Sequence, residues 1–105
     1  MMNSEKARIE TSSMLESNIM QWAISYYDLV ACRLILKAYN EPVTRTAINN
    51  AVNSECNSML RKVAKFKPYM LENGYDNVCQ VIQDLKTDTQ NIIIKALKTD
   101  KEVLI

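Results

Sequence analysis

A single glycine, Gly74, and two prolines, Pro42 and Pro68, are the only strong backbone punctuation in 105 residues. Sheet folds spend glycines on tight turns, so this scarcity predicts a mainly α-helical chain. The length suits one domain, 1–105. Hydrophobic residues make up 48% and charged residues 24%, enough for a globular core. At this size the core is modest, and packing against a second copy would extend it.

Helical periodicity supports this class. Residues 4–11 start a helix, with Ser4 as its expected N-cap. Between Ser12 and Tyr39, one stripe runs through Leu15, Ile19, Trp22, Tyr26, Val30 and Leu34. A second stripe, with Met20, Ile24, Tyr27, Ala31, Ile35 and Ala38, lies beside it. Together they are broader than one small core requires. Packing on two sides explains that breadth, and so does a dimer interface on the 12–39 helix. Pro42 in "YNEPV" breaks this helix, and Thr44 then offers an N-cap with Val43 as a hydrophobic staple. Pro68 ends or redirects the next helix. "PYMLEN" predicts a short helical turn closed by Gly74 at the C′ position.

Residues 76–98 admit two readings. Val78, Ile82, Leu85, Ile92 and Ala96 keep helical steps, with Asp76 and Asp88 available as caps. The β-branched Val81, Ile82 and Ile92–Ile94, separated by "KTDTQN", also fit a short two-stranded wing. The lack of a glycine for a tight hairpin favours helix.

Several functional classes lose support. Histidine is absent, which removes the commonest general base and metal ligand. Cys32, Cys56 and Cys79 are far apart, no C-x-x-C occurs, and each reads as a small core residue. No phosphate loop or marked carboxylate pair is present. The expectation is a protein that is not an enzyme and carries no cofactor or metal. The N-terminal "MMNSEKARIETSS" lacks the apolar centre of a signal peptide. The apolar "LVACRLILKAY" carries Arg33 and Lys37 and is too short to span a bilayer. A cytoplasmic, membrane-free chain with reduced thiols is expected. Trp22, Tyr26 and Tyr27 read as core rather than as a ligand patch. Met14, Met20, Met59 and Met70 read as gap-fillers.

Charge is unevenly placed. The chain's net charge is +1, yet Arg45, Arg61, Lys62, Lys65 and Lys67 against Glu55 leave residues 44–67 at +4. On a helix over 54–66, Cys56, Met59, Leu60, Val63 and Phe66 share an arc of about 120°. Ser54, Asn57, Ser58, Arg61, Lys62 and Lys65 occupy the other side, without an acid. Cations suited to phosphates there accompany amides and hydroxyls able to read base edges. One continuous helix over 44–66 satisfies the periodicity equally well. Against it stand Asn49, Asn50, Asn53, Ser54, Cys56, Asn57 and Ser58, poor helix formers that together disfavour it by roughly 3–4 kcal/mol. A turn at Asn53-Ser54 relieves part of that burden.

The segment "LILKAYNEPVTRTAINNAVNSECNSMLRKVAKF…LENGY", residues 34–75, resembles the core of bacterial winged-helix, MarR-like helix-turn-helix regulators. Ile48 and Val52 match the family's first apolar pair. Met59, Val63 and Phe66 match its recognition-helix core, and Leu71 with Gly74-Tyr75 matches the segment before the wing. Asn53 stands where Gly is common, and no clear basic hairpin follows Tyr75. The resemblance implies four to five helices around a helix-turn-helix at 44–66. It implies double-stranded DNA as partner and a homodimer on paired half-sites. Asn57, Ser58 and Arg61 would enter the major groove, with Ser54 opening the recognition helix. Thr44 and Arg45 would hold phosphate at a helix N-terminus, joined by Lys62, Lys65 and Lys67. The function expected first is therefore a small sequence-specific DNA-binding regulator or DNA-organising factor. The alternative is a helical protein-binding module, such as an immunity protein, antitoxin or secretion chaperone, gripping a partner through the 14–39 face.

Overall fold

The computed structural model describes residues 4–98. Three long α-helices account for most of them: α1 (Ser4–Asn40), α2 (Arg45–Val63) and α3 (Glu72–Lys98). A 3-10 segment, Ala64–Tyr69, joins α2 to α3. Among the described residues there is no strand, so the chain is mainly α but has neither four to five α-helices nor a wing. The apolar tail "KEVLI" lies outside the described residues.

The helices run up, down and up. Ser12 on α1 meets Leu71 at the start of α3, and Tyr27 meets Ile82, so α1 and α3 run in the same direction. Gln90 in the later half of α3 bonds Asn49 and Asn53 in the first half of α2, so these two run oppositely. α3 packs extensively on both other helices, which touch one another far less. The molecule is a rod of 64 × 17 × 17 Å.

Each helix has a local cause. Residues 4–11 and 12–39 form one helix, and Ser4 is already helical rather than its cap. α1 stops where Pro42 removes an N–H donor. Thr44 then caps α2, its Oγ1 accepting from the Ala47 N–H at 3.0 Å. Val43 packs against the core beside Ile48, as a staple should.

α2 runs unbroken through Asn53-Ser54, and among the described residues no non-glycine residue has positive φ. The expected turn is absent for a physical reason. Ile48, Val52, Cys56, Met59 and Val63 are all buried on one continuous stripe. Burying five such side chains contributes on the order of 10 kcal/mol, well above the propensity burden. Gln90 Nε2 adds hydrogen bonds to the Asn49 carbonyl at 3.2 Å and Asn53 Oδ1 at 3.1 Å. The α-helical geometry ends at Val63, and Pro68 sits inside the 3-10 segment that follows.

Gly74 is not a helix stop. It lies in the first turn of α3 and is buried. A Cβ there would meet the Glu16 carboxylate and lie 3.1 Å from Ser12 Oγ, so the residue permits close approach of α1 and α3. Asp76 and Asp88 fall inside α3 and cap nothing. "KTDTQN" is also helical, with Thr89 buried. The α3 stripe runs through Val78, Ile82, Thr89, Ile93 and Leu97, while Ile92 is exposed. Steps of four after Leu85 carry the buried face to Ile93 and Leu97 rather than to Ile92 and Ala96.

Candidate functional site

The outer face of α2 carries much of the expected basic ridge. Ser54, Asn57 and Arg61 are exposed, and Ser58 is half-buried beside them. Their spacing gathers the four within about 100° of helix circumference. Lys65 and Lys67 continue on the exposed 3-10 segment. Two of the lysines rest on aromatic rings. Lys62 Nζ lies 5.7 Å from the Tyr26 centroid, and Lys67 Nζ lies 5.3 Å from that of Tyr75.

Thr44 and Arg45 do not join this ridge. They stand at the other end of α2, about 24 Å along the axis from Arg61 at 1.5 Å per residue. The Thr44 hydroxyl is engaged as the helix cap. Phe66, expected in the core, is exposed on the 3-10 segment.

A second surface lies on α1, sharing Leu15 and Trp22 with the first stripe taken for core and leaving both stripes beyond them. Leu15, Trp22, Leu29 and Leu36 recur every seven residues, with Asn18, Ser25, Cys32 and Tyr39 three residues after each. This alternation of three and four defines a narrow seam. Leu29 is 64% exposed, Leu36 66% and Tyr39 56%. Cys32 is exposed too, whereas Cys56 is buried and Cys79 intermediate, so one of the three thiols is not a core residue. From Leu29 to Tyr39 the seam lies opposite the buried α1 face of Ala23, Tyr27, Val30 and Ala38, while Leu15 and Trp22 at its other end are half-buried against the core. The signal was present as a heptad spacing, but the two adjacent core stripes obscured it.

Toward its N-terminal end the seam opens into a groove of about 460 Å³ between α1 and the end of α2, lined by Leu15, Trp22, Lys62, Val63 and Phe66 among others. Trp22 and Tyr26 are half-buried there, with ring centroids 5.9 Å apart. Tyr27 alone of the three aromatics is fully in the core. Met59 and Met70 are buried, Met20 is half-buried and Met14 is exposed.

Polar contacts fix α1 against α2 where packing is sparse. The Tyr26 hydroxyl donates to Glu55 Oε2 at 2.5 Å, and Arg33 Nη2 lies 3.8 Å from Glu55 Oε1. That hydrogen bond to the carboxylate, with partial burial, raises the Tyr26 pKa. Burial raises Tyr27 further, helped by the neighbouring Cys56 thiol. Among the described residues, no group of three or more Cys, Asp or Glu side chains is placed to hold a metal ion. No described helix is long and apolar enough to cross a membrane. No protein-family model matches the chain, and neither a curated protein nor a solved structure matches it.

Proposed function

We propose that this chain is a helical protein-interaction module that acts by binding without chemistry. Its binding surface is the outer face of α1. The observation carrying this reading is the exposed apolar seam at Leu29, Leu36 and Tyr39, running into the Trp22–Phe66 groove. Apolar side chains that recur along one helix face, away from the molecule's own core, suit a second helix laid alongside. A photo-crosslinking amino acid at Leu36 tests it in cells. Crosslinks to a polypeptide, lost when Leu29→Glu is added, are the expected result. Crosslinking that is unaffected by Leu29→Glu, or none at all, overturns it.

One observation favours a second reading, duplex DNA binding through α2. Arg61 and Lys65 stand outward with Ser54, Asn57 and Ser58 on an acid-free face. An unbroken α2 would have to approach DNA along its length rather than present a recognition helix after a turn. Duplex titration at two salt concentrations separates the readings. Phosphate contacts give a steep salt slope, which Arg61→Glu with Lys65→Glu should flatten. Salt-insensitive, weak retention supports the protein-binding module.

A further inference from the structure

The seam on α1 has an occupant that its own charges describe. Within the repeat, Leu15, Trp22, Leu29 and Leu36 take one apolar seam position, and Asn18, Ser25, Cys32 and Tyr39 take the other. Asp28 then flanks the seam on one side and Arg33 on the opposite side, five residues later. In a parallel two-stranded pairing this is the separation at which a flanking residue faces the other chain's opposite flank. Asp28 is exposed and forms no ion pair among the described residues. Arg33 is 65% exposed, its contact with Glu55 is long at 3.8 Å, and it neighbours the Tyr26 hydroxyl. Turning outward to a partner exchanges these surface contacts for the one with Asp28.

We infer that the occupant of the α1 seam is a second copy of this chain, paired in parallel and in register. Each Asp28 meets Arg33 of the partner subunit. This rests on the protein-binding reading of α1 and specifies its partner.

The physical case has three parts. First, parallel pairing gives two symmetry-related Asp28–Arg33 contacts. Antiparallel pairing sets like flanks together, so that Asp28 and Arg33 do not meet, and makes neither. Second, in-register pairing stacks Leu29 on Leu29 and Leu36 on Leu36, covering the most exposed leucines of α1. Asn18 meets its own copy, where two side-chain amides can pair across the axis. A polar layer of this kind lowers stability and fixes register. Third, from Leu29 to Tyr39 the seam stands clear of the α1 face on which α2 and α3 pack. Leu15 and Trp22 at its N-terminal end lean on the core beside the end of α2, so the pairing is centred on Leu29 and Leu36.

Cys32 reports the arrangement. In the parallel pairing the two exposed thiols face each other across the axis. In an antiparallel pairing centred on Ser25, Cys32 opposes Asn18 and the thiols separate by about 21 Å along the helix. A short bis-maleimide joins two thiols only when they are close. Each thiolate adds across one maleimide double bond, and no oxidant is needed.

The full-length chain at micromolar concentration should scatter light as a dimer, twice its 12.1 kDa. It should give a crosslinked dimer that Cys32→Ser abolishes and Cys79→Ser does not. Leu29→Glu with Leu36→Glu should weaken association by about a hundredfold or more while leaving far-UV circular dichroism intact, because both leucines are exposed. Asp28→Arg alone and Arg33→Asp alone should each weaken self-association by about tenfold. Mixing those two variants should restore a crosslinked heterodimer, since every flanking pair is then opposite in charge. A monomeric chain overturns the inference, and if Leu36 still crosslinks to another polypeptide the reading of α1 as a binding face survives. A dimer without the Cys32 crosslink, or variants that fail to complement on mixing, overturns the parallel register.

Discussion

The Tyr27 hydroxyl donates a 2.9 Å hydrogen bond to the Ile82 carbonyl, joining the buried face of α1 to the middle of α3. Tyr27 is 2% exposed and Ile82 fully buried. Burial raises this phenol well above its ordinary value of 10.0. In the unfolded chain the proton leaves near that ordinary value, while the folded chain retains it. Above about pH 10 the unfolded state therefore binds fewer protons, and stability falls as pH rises. Tyr27 should contribute a loss of about 1.4 kcal/mol per pH unit there. Tyr27→Phe should lose about 1 kcal/mol at neutral pH and show a shallower alkaline decline. Denaturant midpoints of both proteins from pH 8 to 11 measure the difference.

Ser12 ties the other end of the α1–α3 contact. Its fully buried hydroxyl accepts from the Leu71 N–H at 2.9 Å and donates to Glu16 Oε2 at 3.2 Å. Leu71 immediately precedes α3, so this bond satisfies a donor at the helix start. Ser12→Ala strands that N–H in a part-buried place. The expected loss is about 1–2 kcal/mol by urea denaturation, with faster hydrogen exchange at the first turn of α3.

Gly74 should tolerate a methyl group but not a branched side chain. For Gly74→Ala, the Glu16 carboxylate can swing away, and alanine's better helix propensity, about 1 kcal/mol, offsets the crowding at Ser12. Stability near that of the parent is expected. Gly74→Val pushes further into the fixed Ser12 and should lower stability by about 2–3 kcal/mol. Equal midpoints for the valine and alanine variants would count against a close approach.

Asn49 offers a gain. Its Oδ1 is buried without a hydrogen-bond partner, while Gln90 bonds its main-chain carbonyl, which any residue supplies. Asn49→Ala removes the unpaired acceptor and improves helix propensity. A stabilisation of about 1 kcal/mol is expected from thermal and chemical unfolding.

Helices were legible wherever apolar spacing and punctuation agreed. The Pro42 break, the Thr44 cap and the Ile48–Val52 pair all stand as expected. Gly74 misled because glycine marks helix ends far more often than helix crossings, and only the position of Ser12 and Glu16 reveals which applies. The turn at Asn53-Ser54 was an inference from local propensity. It failed because α3 supplies both the apolar surface and the Gln90 bonds that hold α2 straight. Of the candidate surfaces, the outward placement of Asn57 and Arg61 was readable from helical phase. The α1 seam was not, since Leu15 and Trp22 fall in a core stripe and only the placement of α2 and α3 shows Leu29 and Leu36 exposed on the other side.

Because α3 makes most of the contact for both other helices, the order of synthesis constrains how the chain becomes a protein. As α1 and α2 leave the ribosome, each has an apolar face and little of the other to cover it. Lasting structure must wait for the stretch around Val78 to Leu97 to emerge and slot between them. The nascent chain therefore passes through a sticky interval, and any factor that shields apolar polypeptide during translation would find its target in those first two helices.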